Sequence, residues 1–232
     1  MVTKGRISRF LAMALVVFVI ATQAIFLGTA VFAENREEEE LTSTKNMITE
    51  YNSYASYAKN NSFAEYSGYN EDSLNYLAQE YDIEDEYLYY IMEVEKTFDL
   101  EPYELFALIS QESKFIPQTK MDGGSFSYST TQMKLATAKT AYMAITEYYK
   151  KEIPYPTHQL LTEDKYYATL LAGGYLKYLH DVYKNKYESY TAYHRGIGGR
   201  LEFYKKHGHY KSPYALQIAG QSSAFARGKI KI

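Results

Sequence analysis

Apolar and polar positions divide the chain into segments of different kinds. From Phe10 to Ala33 it is uncharged and mostly apolar. From Glu34 to about Tyr69 it is rich in Glu, Asn, Ser and Tyr and has little apolar periodicity, the pattern of a spacer that is partly helical or disordered. Beyond residue 70 apolar residues recur at helical spacing. Asp72 or Ser73 is suited to cap a helix running to about Tyr81. A second helix is expected from about Ile83 to Thr97, with Tyr87, Tyr90, Ile91, Val94 and Phe98 on one stripe. The clearest pattern begins near Glu101-Pro102, where proline suits the first helical position. There Leu105, Leu108, Ile109 and Glu112 fall at i, i+3, i+4 and i+7, so a glutamate shares the apolar face of its own helix. Lys114-Phe115-Ile116-Pro117 ends that helix, and a loop centred on Gly123-Gly124 is expected up to Ser129. Helical patterns resume over about 130–149, 163–183 and 188–194, with Pro154 and Pro156 breaking the chain between the first two. No alternating run is long enough to mark a strand, and the fold class expected is mainly α.

Composition adds exclusions. The chain has 232 residues, 46% of them apolar, enough for one domain with a core plus accessory segments. With no cysteine it has neither disulfides nor a thiolate zinc site nor a cysteine nucleophile. Tyrosine is over-used, with 27 residues and no tryptophan; tyrosines serve sugar-facing clefts and ordinary cores alike.

The apolar run is long enough to cross a bilayer core at about 1.5 Å per residue. Lys4, Arg6 and Arg9 precede it and Glu37 to Glu40 follow, which places the N-terminus inside and the rest outside. Two readings stay open: an uncleaved single-pass anchor over residues 10–33, or a signal peptide cut after Val31-Phe32-Ala33. Both make the working part extracytoplasmic. Residues 34–100 carry 17 acidic and 4 basic residues, whereas residues 101–232 carry 11 acidic and 18 basic. The asymmetry reads as an acidic stalk followed by a catalytic or binding domain. The expected segments are 1–33, leader; 34–70, spacer; 71–205, the catalytic or binding domain; and 206–232, a basic tail able to touch anionic polymers.

The chemistry centres on Glu112. A glutamate on a buried stripe is costly when charged, so burial raises its pKa and makes it a proton donor near neutral pH. The competing reading is a glutamate bonded to a backbone group at a helix end. The five histidines lack metal-ligand spacing: His207-x-His209 has no carboxylate nearby, and the others are scattered. No metal or cofactor is expected, no phosphate-cradling glycine loop and no Gly-x-Ser-x-Gly motif is present, and nucleic acid is not an expected partner.

Four blocks carry a family resemblance. Ala107-Leu108-Ile109-Ser110-Gln111-Glu112-Ser113-Lys114-Phe115-Ile116-Pro117 is similar to the catalytic helix of the soluble lytic transglycosylase (SLT) domain, which ends in Glu-Ser. Tyr128-Ser129-Thr130-Thr131-Gln132-Met133 followed by Ala136-Thr137-Ala138 resembles that family's Gly-Leu-Met-Gln block and its sequel. Leu171 to Leu179 resembles the helix packed behind the cleft, and Ala192-Tyr193-His194-Arg195-Gly196-Ile197-Gly198 resembles the Ala-Tyr-Asn-Ala-Gly-Pro-Gly block. The likeness covers about residues 83–199. It implies a lysozyme-like helical domain with a catalytic cleft, acting on peptidoglycan strands without a cofactor. Glu112 matches the single acid/base, which protonates the bond between N-acetylmuramic acid and N-acetylglucosamine and then closes a 1,6-anhydro ring. Gln132 matches the cleft glutamine that holds sugar, and Tyr193 the tyrosine whose hydroxyl reaches the catalytic carboxyl. Ser113, Met133 and His194 complete the substrate-facing set by their places in these blocks. Ser129-Thr130-Thr131 in place of Gly-Leu-Met makes the cleft floor more polar, and His194-Arg195 stands where the family has Asn-Ala. An enzyme of this kind, anchored, suits local wall opening by a trans-envelope apparatus or wall remodelling. A muramidase of the same fold and a silent wall-binding module are the alternatives.

Overall fold

The computed structural model describes residues 68–228; the expected leader and nearly all of the spacer lie outside the described residues. Helix α1 (Glu71–Tyr81) is capped not by Asp72 or Ser73 but by Asn70, two positions before the first of them, whose side chain accepts a hydrogen bond from the Ser73 N–H at 3.1 Å. Helix α2 (Asp85–Thr97) buries Tyr87, Leu88, Ile91, Met92 and Val94. Helix α3 (Glu104–Ser113) starts after a turn at Pro102-Tyr103 and is apolar along most of its length: Leu105, Phe106, Ala107, Leu108 and Ile109 are all fully buried.

The first turn of α3 is capped from another element. Glu95, buried on α2, accepts from the backbone N–H groups of Tyr103 (3.0 Å) and Leu105 (2.6 Å), satisfying donors that a helix N-terminus leaves open.

After α3 the expected loop is a small antiparallel sheet in the order β1 (Lys120–Asp122), β2 (Ser125–Tyr128), β3 (Met133–Lys134). Strands of two to four residues are too short to show alternation, which is why the sequence pattern reads only as loop. Gly123 and Gly124 both have positive φ, as a two-residue hairpin turn requires, and pair Asp122 with Ser125. Ser129 (φ 62°) and Gln132 (φ 48°) take left-handed conformations. Residues 129–134 therefore cannot continue a helix, and α4 (Leu135–Met143) begins five residues later than expected, running into one π turn at Ala144–Tyr148.

Helix α5 (His158–Glu163), capped by Thr157, is too short to show a period in the sequence. Helix α6 (Lys165–Tyr183) is capped by Asp164 and packs against α2, α4, α5 and α7 (Lys186–His207). Gly173 and Gly174 make that packing possible: a Cβ on either would lie 2.4 Å from Val94 Cγ1 or Ile145 Cγ1. Helix α7 does not end at His194. It is interrupted at Gly196 (φ 72°, ψ 171°) and resumes to His207.

The largest correction concerns residues 206–232, expected as a basic tail. They hold helix α8 (Pro213–Ala226), with Ser212 accepting from the Ala215 N–H and Pro213 at the first position. Helix α8 packs on α3 and α7 and buries Tyr214, Ala215, Ile218 and Phe225. Among the described residues no helix is long and apolar enough to cross a membrane.

Candidate active site

Among the described residues Glu95 and Glu104 are buried and Glu112 is largely withdrawn from solvent, and their surroundings separate them. Glu95 is spent on capping α3. Burial outweighs its hydrogen bonds and pushes it up to about 8, but it faces no cleft. Glu104 accepts hydrogen bonds from the Tyr190 hydroxyl and from His180 Nε2 (2.7 Å), tying α3 to α6 and α7 in the core. Glu112, at the last turn of α3, lines an open cleft.

Its one carboxyl partner among the described hydrogen bonds comes from a distant element. The Tyr214 hydroxyl on α8 donates to Glu112 Oε1 at 2.6 Å. Burial raises the Glu112 pKa to about 7; the Tyr214 bond and the charge of Lys120 oppose the rise, and Asp122 adds to it. The carboxyl therefore holds its proton up to neutral pH. The Tyr214 ring is itself clamped, since the His194 ring stacks on it at 4.5 Å and within 6° of parallel. Burial and neighbouring Arg195 push His194 below the usual imidazole range, which favours a neutral ring.

The other residues expected in the site have different partners. The Tyr193 hydroxyl donates to the Thr131 carbonyl at 3.3 Å rather than to Glu112. The hydroxyl that reaches the acid is that of Tyr214, in a segment read as tail. Gln132 uses its Nε2 to donate to the carbonyls of Gln118 (2.9 Å) and Ser129 (2.7 Å), so this amide holds the β lobe to the end of the α3 loop. Ser113 Oγ donates to the Thr130 carbonyl at 2.6 Å and is buried. Met133 is buried in β3, opposite Tyr128. Ser113 and Tyr193 thus hold the Thr130-Thr131 backbone to α3 and α7. Beneath it, the Tyr87 hydroxyl bonds to Thr130 Oγ1 (2.8 Å) and Thr169 Oγ1 (2.7 Å). Ser129 Oγ and Thr131 Oγ1 are buried with no partner among the described residues, so the polar substitutions on this floor are only partly compensated.

Asp122 is a carboxylate of a different kind. It is exposed on β1 and paired with Lys134 Nζ at 2.9 Å, which holds it below the usual aspartate range. It remains ionised where Glu112 remains protonated. No group of three or more His, Asp or Glu side chains that could hold a metal occurs among the described residues.

The described residues form a mainly helical domain in which a glutamate with a raised pKa stands at the cleft end of a buried helix, an arrangement consistent with a lysozyme-like fold. Residues 89–215 match the Transglycosylase SLT domain family, and the chain belongs to that family. The matched stretch runs from α2 to the start of α8 and so includes both Glu112 and Tyr214. Membership carries a lytic-transglycosylase-type function on peptidoglycan. No curated protein and no solved structure matches the chain.

Proposed function

We propose that this chain is a peptidoglycan lytic transglycosylase in which Glu112 is the single acid and base. The observation that carries the reading is the 2.6 Å bond from Tyr214 to a carboxyl that burial keeps protonated to about pH 7. With Oε1 engaged by Tyr214, the proton sits on Oε2 and passes to the glycosidic oxygen as the bond to muramyl C1 breaks. The N-acetylglucosamine leaves with that proton as a free 4-hydroxyl. The carboxylate, stabilised by the Tyr214 hydroxyl, takes the proton of the muramyl 6-hydroxyl as its oxygen closes on C1. The product is a 1,6-anhydromuramyl end, no water is consumed, and Glu112 is returned protonated.

A two-carboxylate hydrolase needs its second carboxyl held across the scissile bond. Asp122 is exposed and paired with Lys134, an arrangement of turn and surface rather than of a held nucleophile. The intramolecular 6-hydroxyl also has a large proximity advantage over water. The N-terminal apolar run and its basic flank support an extracytoplasmic enzyme, tethered or released, acting on the wall beside the membrane.

Digestion of purified peptidoglycan with residues 34–232, followed by mass analysis of the fragments, tests the reading. Anhydro ends, lighter than the hydrolytic product by one water, are expected from the wild type, none from Glu112→Gln, and little change from Asp122→Asn. Reducible muramic acid ends together with a dead Asp122→Asn make the protein a muramidase instead. Absence of any cleavage by the wild type leaves a wall-binding module.

A further inference from the structure

Tyr214, whose hydroxyl donates to Glu112 Oε1 at 2.6 Å, is held from α7 at two points. The first fixes its backbone. Thr191 Oγ1 donates to the Tyr210 carbonyl at 2.7 Å and is hydrogen-bonded at 2.9 Å to the Oγ of Ser212, the N-cap of α8. The turn from which Tyr214 starts is thereby pinned. The second point fixes its ring. His194, three residues after Thr191 and so on the same side of α7, lays its imidazole on the Tyr214 ring. The centroids are 4.5 Å apart and the planes within 6° of parallel. That separation exceeds the contact distance of about 3.5–4.0 Å between carbon atoms, so the rings are offset, the favoured arrangement for stacked pairs.

Nothing else among the described residues engages the imidazole. It makes no hydrogen bond to any of them, and its one ring contact is Tyr214. Tyr214 is buried and His194 exposed, so the imidazole is the outer member of the pair. Arg195, next along α7, places its guanidinium over the Phe203 ring at 5.2 Å. Desolvation and the Arg195 charge lower the His194 pKa, with Asp122 on β1 opposing them, so the stacked ring is uncharged near neutral pH. Tyr214, for its part, has a single side-chain hydrogen bond among the described residues, the one to Glu112. Its hydroxyl lies at the far end of a side chain that pivots about two torsions, and only packing stops it swinging. A misplacement of about 1 Å in such a group can cost on the order of 100-fold in rate.

We propose that His194 is a positioning residue for the acid: stacked on Tyr214, its ring holds the Tyr214 hydroxyl on Glu112 in the geometry that proton transfer needs. The proposal rests on the reading of Glu112 as the peptidoglycan acid. It gives a role to a position at which this chain departs from its family, with a ring in place of asparagine. An amide there offers hydrogen bonds, whereas this imidazole offers a face.

The test measures kcat and KM on soluble peptidoglycan strands between pH 4 and 9. The variants are His194→Ala, His194→Phe, His194→Asn, Tyr214→Phe and the double variant His194→Ala with Tyr214→Phe. His194 is exposed, so its substitution spares the core; melting and far-ultraviolet circular dichroism check each fold. His194→Ala should lower kcat about tenfold with KM nearly unchanged. It should also move the alkaline limb of kcat/KM upwards, the direction expected for Tyr214→Phe, because a loosened hydroxyl favours the carboxylate less. His194→Phe keeps an uncharged ring on Tyr214 and should restore the wild-type kcat and limb. His194→Asn has no ring and should behave as the alanine variant does. Once the hydroxyl is gone the stack has nothing to position, so adding His194→Ala to Tyr214→Phe should cost less than about twofold more. A wild-type kcat in folded His194→Ala, or a loss confined to KM as for a sugar contact, overturns the proposal and leaves the transglycosylase standing. An active His194→Asn beside an impaired His194→Phe also overturns it, since the side chain then acts through hydrogen bonds. So do losses that multiply in the double variant. No cleavage by the wild type overturns the reading of Glu112, and this proposal with it.

Discussion

Replacing Glu112 by glutamine should stabilise the protein at alkaline pH while destroying its activity. Burial lifts this carboxyl from its ordinary value of 4.5 to about 7. The folded chain thus binds the proton more tightly than the unfolded chain. Below pH 4.5 both states are protonated and the group costs nothing. As pH rises from there through about 7, the unfolded state ionises first and folding stability falls; above 7 the full cost is present. At 1.36 kcal/mol per pH unit the cost is at most about 3 kcal/mol. Glu112 lines an open cleft, so solvent reorganisation brings the figure to about 1–2 kcal/mol. Glutamine keeps an oxygen for the Tyr214 hydroxyl and has no charge to bury. Thermal melting of wild type and Glu112→Gln between pH 4 and 9 is the assay. The variant should melt about 3–6 °C higher at pH 8 and match the wild type at pH 4. Glu95, also raised by burial, contributes the same slope to both proteins and cancels in the difference. Equal melting at every pH, or a less stable variant at pH 8, would refute the claim that Glu112 is held as an acid.

Tyr214→Phe should lower turnover by about 10–100-fold. It should also move the alkaline limb of kcat/KM above its wild-type position near pH 7, because the lost hydroxyl had favoured the carboxylate; an unmoved limb would remove Tyr214 from the acid's control. Gln132→Ala leaves the carbonyls of Gln118 and Ser129 without their donor and should cost about 1–2 kcal/mol in urea denaturation, so unchanged stability would show that the amide holds no loop. Gly174→Ala forces a methyl to 2.4 Å from Ile145 Cγ1 and should cost about 1–3 kcal/mol, read as a lowered melting temperature; a neutral result would mean that α6 and the π turn can separate freely.

The helices of the first half, and the place of Glu112 on one of them, were legible in the sequence because their causes are local. Leu105, Leu108, Ile109 and Glu112 share a face by helical geometry alone, and all three apolar members are buried as the spacing requires. The breaks at Pro154 and Pro156 likewise act within a turn or two. The sequence reading singled out Glu112 and passed over Glu95 and Glu104, both of which are buried. Only the packing shows that Glu95 caps α3, Glu104 bonds His180 and Tyr190, and Glu112 meets a cleft.

The acid's partner was beyond local reasoning. Tyr193 lies in the block that resembles the family, but its hydroxyl goes to the Thr131 carbonyl, while Tyr214 reaches Glu112 across 102 residues of sequence. Its helix reads as tail because α8 is amphipathic only in relation to α3 and α7, the two surfaces it covers. The β lobe escaped notice for the same reason, since strands of two to four residues owe their existence to one another and to the glycine turn that joins the first two. Periodicity records what a segment does to itself, and so the sequence determined the helices and placed the acid on one of them. Which hydroxyl holds that acid depended on contacts between segments far apart in the chain, which only the packed tertiary structure brings together.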